Sequence, residues 1–249
     1  MVSKISVIML TKNASKYLEE CLEALVLFPE IIIIDNGSSD DTITIAKTFE
    51  NVTLYTSEFI GFGPLKNMAI SKTTHEWVLS VDSDEILTTD LVNEILELDL
   101  NPEQVYAILR KNYYRHTLIE CCGWEKDYVN RLFYKDKVQF NHKQVHESLL
   151  LPEGTQIHYL QNSFMHYSFD NASQLLQKMN HYSTLYAKEH CGKKKSSLAR
   201  AISNSIFSFI KNYFFQKGFL YGYEGFLISI SNANGVFYKY IKLMEENRK

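Results

Sequence analysis

The segment Trp77-Val78-Leu79-Ser80-Val81-Asp82-Ser83-Asp84-Glu85 concentrates the residue types that do chemistry. Trp77 to Val81 is a short apolar run, which predicts a buried strand. The run then stops in acid. Asp82 and Asp84 are two apart, so an extended chain would project both to one face. Three carboxylates in four residues after a buried strand are costly without a positive partner. A divalent cation bound to phosphate oxygens suits them. Hard cations prefer oxygen ligands, and Mg²⁺ is often held by one or two carboxylates plus substrate phosphates. The plainer alternative is an Asp or Ser cap on a helix entered at Ile86.

The elements that must position these residues lie upstream. Ile5 to Leu10 reads as a strand, followed by Thr11-Lys12-Asn13 and a helix that Ser15 can cap. Ile31 to Ile34 is an unbroken isoleucine run, as in strands covered on both faces. Asp35-Asn36-Gly37-Ser38-Ser39-Asp40 is turn chemistry leading into a second helix. Val52 to Tyr55 is a third strand, and Pro64 reads as the first residue of a third helix whose Leu65, Met68, Ala69 and Ile70 face inward. The first 85 residues therefore read β-α-β-α-β-α-β, which predicts a parallel sheet with right-handed crossovers and helices on both faces. Ligands bind beyond the C-terminal strand ends of such sheets. Polar residues gather there: Thr11 to Asn13, Asp35, and Asp82 with Asp84. No GxGxxG follows the first strand and no GxxxxGK[ST] occurs, which disfavours a dinucleotide fold and a P-loop. Phosphate would have to be met by metal and by Lys12 or Lys66.

The chain has 249 residues, 45% hydrophobic and 22% charged, which fits one large domain or one domain with an appendage. The net charge of −3 is uneven. Residues 188–249 hold 11 basic against 4 acidic residues, a basic tail suited to an anionic surface on an acidic body. Cys21, Cys121, Cys122 and Cys191 have no metal spacing, and with no signal-peptide pattern they fit free thiols in a reducing cytosol. No apolar stretch reaches membrane-spanning length.

Four motifs in order carry a resemblance: Val7 to Asn13; Ile31 to Thr42 with Asp35-Asn36-Gly37-Ser38-Ser39-Asp40; Asn67-Met68-Ala69-Ile70; and Leu79 to Glu85. Together they resemble a family 2 glycosyltransferase of the GT-A fold, above all the bacterial subgroup that builds lipopolysaccharide cores and similar surface glycans. The resemblance is strong over residues 4–90. It implies an α/β fold with a Rossmann-like mixed sheet and a nucleotide-sugar donor met by Thr11, Asn13, Asp35, Lys66 and Asp82. Asp35 would hydrogen-bond the base, Asp82 would lie by the ribose, and Asp84 would ligate Mn²⁺ or Mg²⁺ on the diphosphate. The implied organisation is a catalytic domain over 1–168, divided into donor (1–90) and acceptor (91–168) sides, and a helical C-terminal extension over 169–249.

An inverting transfer needs a carboxylate to take the proton of the attacking hydroxyl. Arg131-Leu132-Phe133 followed by Val145-His146-Glu147 matches the relatives at that place and names Glu147 as the base, with Asp127 and Glu120 as fallbacks. Against this, Glu147 would be a surface carboxylate paired with Lys143. His166 is a third metal ligand, a group that orients the diphosphate, or a hydrogen-bonded structural histidine. Trp124 is either a platform for an acceptor sugar or a core residue. Val129 to Tyr134 and Val138 to Phe140 read as a hairpin, and the pattern from Asp170 onward is helical.

The expected reaction is metal-dependent transfer of a hexose, glucose first, from a UDP-sugar to a lipopolysaccharide core or other surface glycan. The expected setting is cytoplasmic, with a glycan or glycolipid acceptor, peripheral contact of the basic C-terminal helices with the inner membrane, and no nucleic acid. The alternatives are a sugar nucleotidyltransferase, which would want a glycine-rich basic loop after the first strand, and an inactive carbohydrate-binding module.

Overall fold

A computed structural model describes residues 4–141 and 147–248. The chain sorts into two compact units, Met1–Arg110 with Tyr128–His166, and Lys111–Asp127 with Tyr167–Lys249.

The first unit opens with β1 (Ile5–Thr11), α1 (Ser15–Glu23), β2 (Glu30–Asp35), α2 (Thr42–Ala46), β3 (Val52–Thr56), α3 (Phe62–Lys72) and β4 (Trp77–Ser80). The pairs β1–β2, β2–β3 and β1–β4 are parallel, in the order β3-β2-β1-β4. The chain steps from β1 outward to β3 and then returns past β1 to β4. Right-handed crossovers therefore put α1 and α2 on one face and α3 on the other. The burial agrees. Ile8, Ile32, Ile34 and Val78 pack with Leu65, Ala69 and Ile70 of α3. The alternate residues Val7, Met9, Ile31, Ile33 and Leu79 are just as buried, which accounts for the isoleucine run.

Beyond β4 the sheet becomes mixed. β5 (Glu85–Leu87), α4 (Thr89–Glu97), β6 (Gln104–Tyr114), β7 (Thr117–Leu118), β8 (Tyr128–Tyr134), β9 (Gln139–Phe140), β10 (Leu149–Leu150) and β11 (Gln156–Phe169) follow. The sheet order is β3-β2-β1-β4-β8-β6-β11-β5, with β7 on β6. β8 runs antiparallel to β4 and β6, and β11 antiparallel to β5. This is the α/β mixed sheet expected of the GT-A class.

Three local expectations change. Ile86 does not start a helix: it lies in β5, and α4 begins after Thr88, whose hydroxyl accepts from the Leu91 amide at 3.2 Å. β8 and β9 do not form a hairpin, because β8 is taken by β4 and β6 while β9 pairs with β10. Ser15 does not cap α1. The amides of Ala14 and Ser15 donate instead to Thr42 Oγ1 and Asp40 Oδ2, at 2.7 and 3.1 Å.

The second unit is built on α5 (Ala172–His190), α6 (Leu198–Ile210), a π-helical turn (Lys211–Phe215), a 3-10 turn (Gly218–Tyr221) and α7 (Gly222–Glu246). Asn171 caps α5 by accepting from the Gln174 amide at 3.1 Å. Segment 111–127 clusters with these helices. Within the unit Trp124 stacks on Phe169, centroids 5.8 Å apart, and packs on the cluster of Tyr114, Ile119 and Ile228. The four cysteines are free thiols, and no helix among the described residues is long and apolar enough to cross a membrane.

Candidate active site

The first cluster lies at the C-terminal ends of β1 and β2. Asp35 ends β2 fully buried. Its Oδ1 accepts from the amides of Gly37 and Ser38, both at 2.9 Å. Its Oδ2 accepts from Thr11 Oγ1 at 2.9 Å and Ser38 Oγ at 2.5 Å. Burial alone would push this carboxyl up. The hydroxyls of Ser38 and Thr11 and the two amides outweigh burial and hold it below the usual carboxylate range. Asn13 adopts a left-handed conformation (φ 52°), which asparagine tolerates better than most side chains. That turn lets its Oδ1 accept from the Ser39 amide at 2.8 Å while its own amide donates to Ser38 Oγ at 2.9 Å. The loops after β1 and β2 are thus laced together by side chains. Lys12 is exposed on the first of them.

The second cluster surrounds the acidic segment. Residues 82–85 do not continue β4 in extended form. The Glu85 amide donates to the Asp82 carbonyl at 3.0 Å, closing a turn. Asp82 and Asp84 consequently take different partners, where an extended chain would have set them on one face. The positive partner demanded by three carboxylates is largely protein. Lys66 Nζ, nearly buried on α3, donates to Asp82 Oδ1 at 3.0 Å. Arg131 Nη2, from β8, donates to Asp82 Oδ2 at 2.7 Å and also to Glu85. Arg110 Nη1 lies 3.9 Å from the same Glu85 carboxylate. Burial would raise the Asp82 carboxyl, but the charges of Arg131 and Lys66 hold it far below the ordinary value. Glu85 is 1% exposed, and burial with the carboxylates of Asp82 and Asp84 pushes its carboxyl up even against Arg131. The Arg131 guanidinium is raised by the same two acids against its own burial.

Asp84 escapes this network. Its side chain is 42% exposed, and its Oδ2 stands 3.5 Å from His166 Nε2. β11 delivers the histidine, since His166 is in register with Glu85 of β5. Two donors sharing one octahedral ion at bonds of about 2.1 Å lie about 3 Å apart, close to the separation seen. A carboxylate oxygen and an imidazole nitrogen are both acceptable donors for a divalent ion. Among the described residues no third His, Cys, Asp or Glu joins them. The pair therefore fits a cation that takes its remaining ligands from phosphate and water.

Glu147, the expected base, has its side chain 24% exposed, and its Oε1 lies 3.4 Å from Lys66 Nζ. Its partner here is Lys66; Lys143, the alternative partner, and Gln144 to His146 lie outside the described residues. The described residues on either side of that segment are held by hydrogen bonds. The Asn67 side chain exchanges two 2.9 Å hydrogen bonds with the Phe140 backbone, and the Asn141 amide donates to the Ser148 carbonyl at 2.9 Å. The fallback bases Asp127 and Glu120 belong to the second unit, where Asp127 accepts from Asn112 Nδ2 at 2.8 Å. In the first unit Lys66 joins Asp82 to Glu147, the 82–85 turn joins Asp82 to Asp84, and Asp35 with Thr11 lies along the same strand ends. β1 separates β2 from β4, so Asp35 and the acidic turn start about 10 Å apart, two strand spacings.

What local sequence does not reveal is that Arg131 and Arg110 supply the counter-charge to a buried Glu85. The available signal was an arginine inside the apolar strand Val129 to Phe133, a charge that must find acid when buried.

The family model for glycosyl transferase family 2 matches residues 6–174, well over half of the chain. The chain belongs to that family. An uncharacterized glycosyltransferase of Rickettsia prowazekii (strain Madrid E) is 29% identical over 100% of this chain and 89% of its own length. A lipopolysaccharide core biosynthesis glycosyltransferase, LpsC, of Rhizobium meliloti (strain 1021) is 23% identical over 98% of this chain and 93% of its own. Among solved structures, S. aureus TarS 1-349 in complex with UDP aligns over 99% of this chain and 89% of that chain at 16% identity, with a TM-score of 0.49. As a member of family 2 the chain is a glycosyltransferase, and the mixed sheet is the scaffold on which its site is built.

Proposed function

We propose that this glycosyltransferase is inverting and metal-dependent, moving a hexose, glucose first, from UDP to a lipopolysaccharide core or related surface glycan. The carrying observation is the turn at residues 82–85. It sets Asp84 beside His166 and Asp82 beside Lys66, the same lysine that pairs with Glu147. The similarity of the whole chain to LpsC supports the acceptor class. The setting this reading calls for is the cytoplasmic face of a membrane, with a glycan or glycolipid acceptor and the basic C-terminal helices in peripheral contact.

Thr11, Asn13 and Asp35 form the edge that receives the base. All four lone-pair sites of Asp35 are filled by protein donors. A base N–H would therefore take the place at Oδ2 now held by the Ser38 hydroxyl. Asp82 faces the ribose, and Lys66 turns from the two carboxylates toward the diphosphate. Asp84 and His166 would hold Mn²⁺ or Mg²⁺, which would supply charge neutralisation for the departing diphosphate. Glu147 takes the proton of the acceptor hydroxyl as its oxygen attacks the anomeric carbon opposite the leaving group, so one C–O bond forms as the other breaks.

The test is thermal stability of the purified chain. UDP should raise Tm only with Mn²⁺ or Mg²⁺ present, and Asp84→Ala should abolish the gain. Stabilisation by no nucleoside diphosphate under any metal condition would count decisively against the reading.

A further inference from the structure

The helix α6 is apolar on the side that its own unit leaves uncovered. Leu198, Ile202, Ile206 and Ile210 recur every fourth residue, and all four are exposed. Phe207 extends this row, 64% exposed. The face turned to α7 carries mainly small and polar residues. Ser205 Oγ donates to the Ala233 carbonyl at 2.9 Å, Ala201 is fully buried, and Phe209 adds a ring against Phe226, centroids 5.8 Å apart. An amphipathic helix packed on its own unit would show the opposite arrangement.

The apolar row continues into the two turns that follow. Phe214 and Phe215 are exposed, Phe215 to 76%, as are Phe219, Leu220 and Phe226. They form one surface, because the Tyr213 ring contacts Phe209, Phe214, Phe219 and Phe226, with centroids between 5.1 and 6.4 Å. The surface is held firmly. A Cβ at Gly225 would meet the Gly218 carbonyl oxygen at 1.9 Å, so the 3-10 turn lies backbone against backbone on α7. Contiguous exposed apolar area of this kind marks an interaction face.

Charge identifies the occupant. Between Cys191 and Leu220 there are six basic residues, Lys193, Lys194, Lys195, Arg200, Lys211 and Lys217, and no acidic one. Lys211 and Lys217 are exposed and flank the Phe214–Phe215 pair in sequence. A second copy meeting this face isologously would set one basic stretch against another. No helix among the described residues is fit to cross a bilayer. We propose that α6 and the turns Lys211–Phe215 and Gly218–Tyr221 form an interfacial membrane-binding face, seating phenylalanine and isoleucine side chains among the acyl chains of an anionic phospholipid surface while the lysines meet its phosphates. This deepens the membrane contact included in the proposed function and draws on no residue of the donor site.

The experiment is co-sedimentation of the purified full chain, without detergent, with phosphatidylcholine vesicles and with vesicles rich in phosphatidylglycerol. At low salt, binding to the anionic vesicles should exceed binding to the neutral ones by about tenfold or more, and salt should weaken it. Phe214→Ser with Phe215→Ser, and separately Lys211→Glu with Lys217→Glu, should each lower it by a similar factor, with Tm and the UDP–Mn²⁺ stabilisation unchanged. Equal binding to both vesicle types, no binding to either, or unaltered binding by the folded double variants would overturn the proposal. So would a dimer in light scattering that the phenylalanine variant dissociates while wild type ignores vesicles. Since nucleotide-dependent stabilisation is read separately, failure on vesicles leaves the donor reading standing, and the reverse holds.

Discussion

The ammonium of Lys66 stands 3.4 Å from the carboxylate of Glu147 and 3.0 Å from that of Asp82. One buried cation thus engages the proposed base and a proposed donor contact together. On the reading above, the arriving diphosphate draws Lys66 off and releases Glu147 to accept a proton, which couples base activation to donor binding. Lys66→Met is expected to raise the donor KM by about tenfold, the loss of one charge-assisted contact. Glu147→Gln should instead lower kcat by about 10²- to 10⁴-fold with donor KM nearly constant. Steady-state kinetics on the two variants separates the roles, and a KM defect in Glu147→Gln without loss of kcat would contradict the assignment.

His166 lies 3.5 Å from Asp84 on a strand from the far half of the first unit. If it completes the cation site, His166→Ala should weaken Mn²⁺ binding in the presence of UDP by about tenfold or more, the lower end of what a lost supporting contact costs a metal site. Calorimetric titration of Mn²⁺ into the UDP-saturated protein measures this. Unchanged affinity would leave His166 a structural histidine.

Arg131 joins Asp82 and the buried Glu85. Removing it strands an uncompensated carboxylate in the interior, so Arg131→Met should cost about 3–5 kcal/mol. Adding Glu85→Leu removes the stranded charge and should restore part of that loss. Urea unfolding of the two variants provides the comparison. A double variant no more stable than the single one would show that packing rather than charge governs the site.

Stability should depend on acid in a definite sense. Asp35 and Asp82 ionise below their unfolded value of about 3.9. The stability they contribute is complete above about pH 5 and is lost as pH falls through 3.9 toward their folded values. Glu85 is raised and runs the other way, its contribution being present below its unfolded value of about 4.3 and fading as pH rises through the folded one. Glu30, Asp40 and Glu94 are lowered as well, so the lowered carboxyls outnumber the raised Glu85 and Tm should fall on acidification below about pH 4. Asp35→Asn should blunt that fall. Scanning fluorimetry between acid and neutral pH reads it, and a Tm in Asp35→Asn that falls as steeply as wild type would contradict it.

The four parallel strands were legible because both-face burial writes continuous apolar runs such as Ile31 to Ile34, and turn residues punctuate them. The second half was less so. β11 spans Gln156 to Phe169, yet its residues up to Tyr159 are exposed and its burial follows no strict alternation, so periodicity gave no strand signal. The Asp-Ser-Asp-Glu segment announced a charged site, but its chief counter-charges are Lys66 and Arg131, brought in by α3 and by β8 through its pairing with β4. Pairings between distant segments leave no mark on local composition, and this is also why β9 was assigned to the wrong neighbour.

The union of β5 with β11 brings residue 84 next to residue 166, more than eighty positions later. A nascent or truncated chain ending before β11 would possess the laced loops at Thr11 and Asp35 yet lack His166, the partner of Asp84. On the proposed reading, divalent-ion affinity would report whether the distal strand has docked against β5.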